Sequence, residues 1–98
     1  MIRHAVMFRF KPGTTPADIA TIAEGLGGLP HAIPEIADYR FGHDIGVNDG
    51  NFDFVVVADF AETADYLVYR DHPLHRALIT ERIAPHVEAR HAVQFDMG

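Results

Sequence analysis

The chain has no cysteine, no tryptophan, a single lysine and no apolar run near the length of a membrane span. Each absence excludes something. Without cysteine there is neither a disulfide framework nor a thiolate metal ligand. A spanning helix needs about 20 consecutive apolar residues, so no membrane partner is expected. The opening Met1-Ile2-Arg3-His4-Ala5-Val6 passes directly into strand-like alternation with no signal-peptide core, which predicts a cytoplasmic protein. Basic residues are also scarce. Eight Lys and Arg against fourteen Asp and Glu give a net charge of −6, and scattered cations form no stripe that would displace counterions from nucleic acid. What remains is ordinary globular composition, 48% hydrophobic and 22% charged, in 98 residues that predict one domain over 1–98. A chain of this length buries only about 60% of its unfolded surface.

The hydrophobic pattern supplies the elements. Residues 2–10 alternate strictly, with Ile2, His4, Val6, Phe8 and Phe10 on one side and Arg3, Ala5, Met7 and Arg9 on the other. Thr15, Pro16 and Asp18 form a helix start of the capping-box kind, followed by the stripe Ile19, Ile22, Ala23, Leu26 and Leu29; Gly27 and Gly28 mark where that helix should fray. A second strand is expected over 36–45, a turn at Asn48-Asp49-Gly50-Asn51 and a third strand over 52–60. Helices over 61–69 and 73–83 are split at His72-Pro73, because a residue before proline leaves the helical region. A last strand runs over 87–95. The order β-α-β-β-α-α-β is that of a ferredoxin-like α+β plait with a four-stranded antiparallel sheet in the order 4-1-3-2.

In that order strands one and three pair antiparallel. Pairing Arg3 with Asp59, Ala5 with Val57, Met7 with Val55 and Arg9 with Asp53 places opposite charges at the ends and apolar pairs between them, as a cross-strand ladder favours. The same register puts Val6 opposite Val56 and Phe8 opposite Phe54 under the helices. The other face keeps Ala5, Met7, Val55, Val57 and Ala92, ringed by Arg3, Arg9, Asp53, Asp59 and Arg90. That anatomy predicts a homodimer packed sheet to sheet into a barrel, against the alternative of a partly wet face on a monomer.

Residues 69–75, Tyr69-Arg70-Asp71-His72-Pro73-Leu74-His75, carry the densest chemistry. Tyr69 and His75 flank the helix break, and such a pair can deprotonate a carbon acid or polarise a carbonyl. His75 falls in the first turn of its helix, where the macrodipole disfavours imidazolium. The structural alternative is a packed tyrosine beside a solvated histidine. His72 or Asp71 can begin the helix instead of doing chemistry. His4 shares its strand face with Val6 and Phe8, so it is either a satisfied core residue or part of a pocket wall. His43, beside Asp44 at the end of the second strand, is a further pocket candidate. His4, His72 and His75 offer three nitrogens, yet the His-x-x-x-His spacing and a carboxylate ligand are missing, so no metal is expected. Gly25, Gly27 and Gly28 end a helix instead of opening one, and so make no phosphate loop.

These segments resemble the stress-responsive dimeric α/β-barrel (Dabb) family. The resemblance rests on residues 2–13, on the Gly-x-Asp of Gly42-His43-Asp44, on 52–60, on the Tyr-x-x-His-Pro-x-His of 69–75, and on Val93-Gln94-Phe95-Asp96. It implies a dimeric ferredoxin-like barrel. By likeness to a plant polyketide cyclase of the family, which works without metal or cofactor, the resemblance gives catalytic roles to Tyr69 and His75 and a pocket role to His4. A pocket histidine of that enzyme falls on Phe54 here and a lysine on His43, with Phe8, Phe54, Leu78 and Ile79 as apolar walls. The implied function is a cofactor-free cyclase, lyase or isomerase acting on a small carbonyl-containing or aromatic molecule. A non-catalytic dimeric stress or ligand-binding protein, and a cofactor-free monooxygenase of the antibiotic-biosynthesis type, are the alternatives.

Overall fold

Strand β1, Ile2–Phe10, is the spine of the sheet: β3 (Phe54–Phe60) lies on one side of it and β4 (Val87–Asp96) on the other. The computed structural model describes residues 1–98. Strand β2 (Asp38–His43) adds to β3, giving the antiparallel order β2-β3-β1-β4, which is the order expected for the ferredoxin-like plait. Helices α1 (Pro16–Ala32), α2 (Thr63–Asp71) and α3 (Pro73–Leu78) cover one face. The alternation of β1 explains the layering, because His4, Val6, Phe8 and Phe10 are buried beneath the helices while Met7 is 44% exposed on the other side.

The β1–β3 ladder has the expected register, with Arg3 opposite Asp59, Ala5 opposite Val57, Met7 opposite Val55 and Phe8 opposite Phe54. Arg3 donates from Nε and Nη2 to both oxygens of the buried Asp59 carboxylate, at 2.8 and 2.9 Å. Those hydrogen bonds hold the Asp59 carboxyl below its ordinary range. The expected Arg9–Asp53 pair does not form. The ladder stops at Phe54, and Asp53 turns its Oδ2 to accept from the Phe10 N–H at 2.8 Å. Arg9 instead lies 4.7 Å from the centre of the Phe52 ring and reaches the Gly50 carbonyl.

Strand β4 and helix α1 also depart from the pattern expected of them. Strand β4 pairs Arg90 with Phe8 and Ala92 with Val6, so both belong to the helix-covered face and not to the open one. The open face carries Val93 and Phe95 in their place, 58% and 47% exposed, beside Met7 and Val55. Helix α1 does not fray at Gly27 and Gly28 but runs through them and through Pro30 to Ala32. Each glycine costs about 1 kcal/mol in a helix, whereas each fully buried Leu or Ile contributes about 1.5–3 kcal/mol, and Ile22, Leu26 and Leu29 are all buried. Packing wins over propensity.

The stretch expected as one helix over 73–83 changes pitch. After α3 the backbone widens to a π-helical turn at Ile79–Ile83, where the Ala84 N–H donates to the Ile79 carbonyl, and then tightens to a 3₁₀ turn at Ala84–His86. Pro85 has no N–H with which to continue a regular helix.

At Gly25, α1 packs against Leu78 of α3: a side chain there would run into the Leu78 Cδ1 methyl and crowd the Arg82 guanidinium. Gly25→Val is therefore expected to lower stability by about 1–3 kcal/mol in urea denaturation. Gly28, with open space around it, is the contrasting site. Gly28→Ala is expected to raise stability by about 0.5–1 kcal/mol, and equal effects at the two positions would refute this packing account.

Candidate active site

The break between α2 and α3 builds the site. His72 is extended, with φ −61° and ψ 133°, because Pro73 follows it. Its Nδ1 accepts from the Leu74 N–H at 3.1 Å, so His72 caps α3. Asp71, the other candidate for that job, is held by Arg70 at 2.9 Å. The chain thereby turns so that His75 folds back on the end of α2, where its Nδ1 meets the Arg70 carbonyl at 3.1 Å and its ring lies 4.1 Å from that of Tyr69, centre to centre.

Both rings border a cavity of about 320 Å³ between the sheet and the helices. His4, Phe8, Tyr69, His75 and Ile79 line it together. Phe54, Leu78 and His43, expected in its wall, lie elsewhere. Phe54 is buried in an aromatic cluster with Phe8, Phe10 and Phe41, Leu78 is buried against α1 at Gly25, and His43 is exposed at the end of β2. The widened turn contributes Ile79, Ile83 and Ala84, and β4 contributes Arg90. No three His, Cys, Asp or Glu side chains are grouped so as to hold a metal ion.

The hydrogen bonds fix which nitrogen carries each proton. A carbonyl can only accept, so His75 donates from Nδ1–H to Arg70 and its Nε2 keeps a lone pair. His4 is reversed: the Gln94 amide donates to its Nδ1 at 2.8 Å, leaving the proton on Nε2. Burial is the first cause that lowers both imidazoles, His4 to about 4, with the positive charge of Arg90 adding to it. His75 lies in α3, a helix of only 6 residues, and its desolvation acts in the same direction as the expected helix macrodipole. Both rings are neutral at pH 7.

Tyr69 is 2% exposed, and its hydroxyl reaches Tyr39 of β2 at 2.8 Å instead of His75. Burial pushes the Tyr69 phenol up to about 12, and the hydrogen bond with Tyr39 opposes that rise, as a proton donated by Tyr39 does. Tyr39 is itself pushed up by burial. Tyr69 is thus a proton donor near neutral pH and not a base. Tyr39, Gln94 and Tyr66, whose ring centre lies 5.0 Å from that of His4, are neighbours of the candidate site that the sequence pattern did not single out. A signal existed for two of them. Tyr66 stands three residues before Tyr69 on one helical face, and Tyr39 falls opposite the small, fully buried Ala58 once β2 is paired.

A family model described as the stress responsive A/B barrel domain matches residues 2–97. A crystal structure of a dimeric ferredoxin-like protein of unknown function from Thermobifida fusca is 44% identical, with 98% of this chain and 90% of that one covered and a TM-score of 0.91. A Dabb family protein with a ferredoxin-like fold from Mesorhizobium loti is 26% identical over 99% of this chain and 97% of that one, with a TM-score of 0.81. A hydroxynitrile lyase from Passiflora edulis shares the fold at 23% identity over 99% of this chain and 93% of that one, with a TM-score of 0.86. Among curated proteins none matches the chain.

The low His4 value makes stability depend on pH. Its folded-state value lies below the unfolded one of 6.5, so the unfolded chain binds more protons between about pH 4 and 6.5 and stability falls as pH drops through that window. The slope contributed by this one group approaches about 1.4 kcal/mol per pH unit. Denaturation measured between pH 7 and about 5, above most carboxylate titration, is expected to show this slope in the wild type and to lose it in His4→Gln. An unchanged slope would sink the assignment.

Proposed function

Since the chain belongs to the stress-responsive A/B barrel domain family, we propose that it is a cofactor-independent acid–base enzyme acting on a small carbonyl-containing or aromatic molecule. The observation that carries the reading is the opposed state of two neutral imidazoles on one apolar cavity, a lone pair on His75 Nε2 and a proton on His4 Nε2. His75 takes a proton from carbon next to a carbonyl, and the charge that develops on oxygen is met by the Tyr69 hydroxyl, with His4 Nε2–H as a second donor. Tyr39 positions Tyr69. The chemistry that follows, closure of a ring, cleavage or isomerisation, depends on what the enolate meets.

We also infer that the open sheet face, with Ala5, Met7, Val55 and Val57 joined by Val93 and Phe95, is a homodimer interface. Its exposed apolar side chains support this, as does the Thermobifida fusca protein, which is described as dimeric.

Exchange of α-protons for deuterium in small β-diketones, followed by nuclear magnetic resonance, tests the first reading. Tyr69→Phe and His75→Ala are each expected to slow it by about 10²-fold while the fold is retained. The acid limb of the rate should lie below pH 6.5, since the His75 value is lowered. Exchange no faster than in buffer, or undiminished in His75→Ala, would remove the enzyme reading and favour a ligand-binding dimer. For the interface, light scattering should give a dimer for the wild type and a monomer for the Met7→Lys, Val55→Lys double variant; a monomeric wild type would end that proposal.

A further inference from the structure

The cavity has an apolar floor and a cationic rim. Val6, Leu26, Val56 and Val87 supply part of the floor, while Arg70, Arg76 and Arg90 also border the space and no Asp or Glu does. In a chain with fourteen acidic and eight basic residues this is a local reversal of sign. Arg70 is occupied, because Asp71 accepts from its Nε and Nη2 at 2.9 and 3.0 Å. Arg76 and Arg90 are engaged in no ion pair.

Arg90 stands on β4 opposite Phe8, on the helix-covered face of the sheet. Its charge bears on three polar groups of the site: it disfavours imidazolium at His4 and His75 and favours the ionised form of Tyr69. A field that repels a proton from two histidines attracts an anion to the same space. The histidines cannot supply that attraction themselves, since both are neutral at pH 7. A guanidinium presents its donors in a planar fork that fits a carboxylate on two oxygens. The volume of about 320 Å³ lies at the small end for ligand sites, which suits a compact apolar body bearing one such group.

We propose, building on the acid–base reading of this cavity, that its ligand is a small carboxylic acid. The apolar body lies on the Val6–Val56 floor and the carboxylate pairs with Arg90 and Arg76 at the rim. The substrate class narrows accordingly to aryl- or alkyl-substituted oxo acids, whose carboxylate anchors the molecule while the carbonyl faces His75 and Tyr69.

Calorimetric titration with two matched pairs, phenylacetate against phenylacetamide and hexanoate against hexanamide, separates charge from shape. The measurement is made at about pH 7.5, well above the carboxylic pKa. The wild type should bind each acid at least about tenfold more tightly than its amide. Arg90→Gln combined with Arg76→Gln should abolish that preference, whereas Arg40→Gln, paired with Asp38 on the edge strand, should leave it intact. Amides binding as well as acids, or a preference that survives the double substitution, would overturn the carboxylate inference while leaving the cavity reading standing. Failure of both acids and amides to bind would instead remove the cavity reading and this inference with it.

Discussion

The antiparallel pairing of β1 with β3 fixes the sides of this molecule. With Ile2 set opposite Phe60 and Phe8 opposite Phe54, every even residue of β1 faces the helices and every odd one faces away. A slip of one residue would turn His4, Val6 and Phe8 outward and bring Arg3 and Met7 into the core. The Arg3–Asp59 pair guards against that slip. Asp59 is 5% exposed, and a buried carboxylate deprived of its two guanidinium hydrogen bonds would be costly. The register that makes the core also carries His4 to the cavity wall and leaves the opposite face apolar.

Against this sheet the helical layer is less regular, and its irregularities line the cavity. Pro73 breaks the chain between α2 and α3, which lets His75 return to the Arg70 carbonyl and pack against Tyr69. The π-helical turn then supplies Ile79 and Ile83 to the same space. A straight helix over 61–83 would carry His75 six residues, about 9 Å along its axis, beyond Tyr69.

His4, His75 and Tyr69 are each tied to a partner. Gln94 holds His4, Arg70 holds His75 through its carbonyl, and Tyr39 holds Tyr69. These partners do more than avoid an unpaired buried group. They choose the tautomer of each histidine and so decide which presents a proton and which a lone pair. Three residues on three different elements, β4, α2 and β2, thereby set which protons and lone pairs His4, His75 and Tyr69 present.

Local pattern determined the strands, the capped start of α1, the break at Pro73 and the β1–β3 register, because alternation, capping and proline geometry act over a few residues. It also picked out Tyr69, His75 and His4, whose chemistry is unusual on apolar faces. Beyond the β1–β3 ladder, only the tertiary structure decided what meets across elements. The β4 register moved Arg90 and Ala92 to the helix face and brought Gln94 to His4, and the pairing of β2 brought Tyr39 to Tyr69. Packing of Leu78 on Gly25 withdrew Leu78 from the cavity wall, and burial in the aromatic cluster withdrew Phe54. Such contacts join residues up to 90 positions apart, where no periodicity in the sequence reaches and only the burial of the whole core selects the partner.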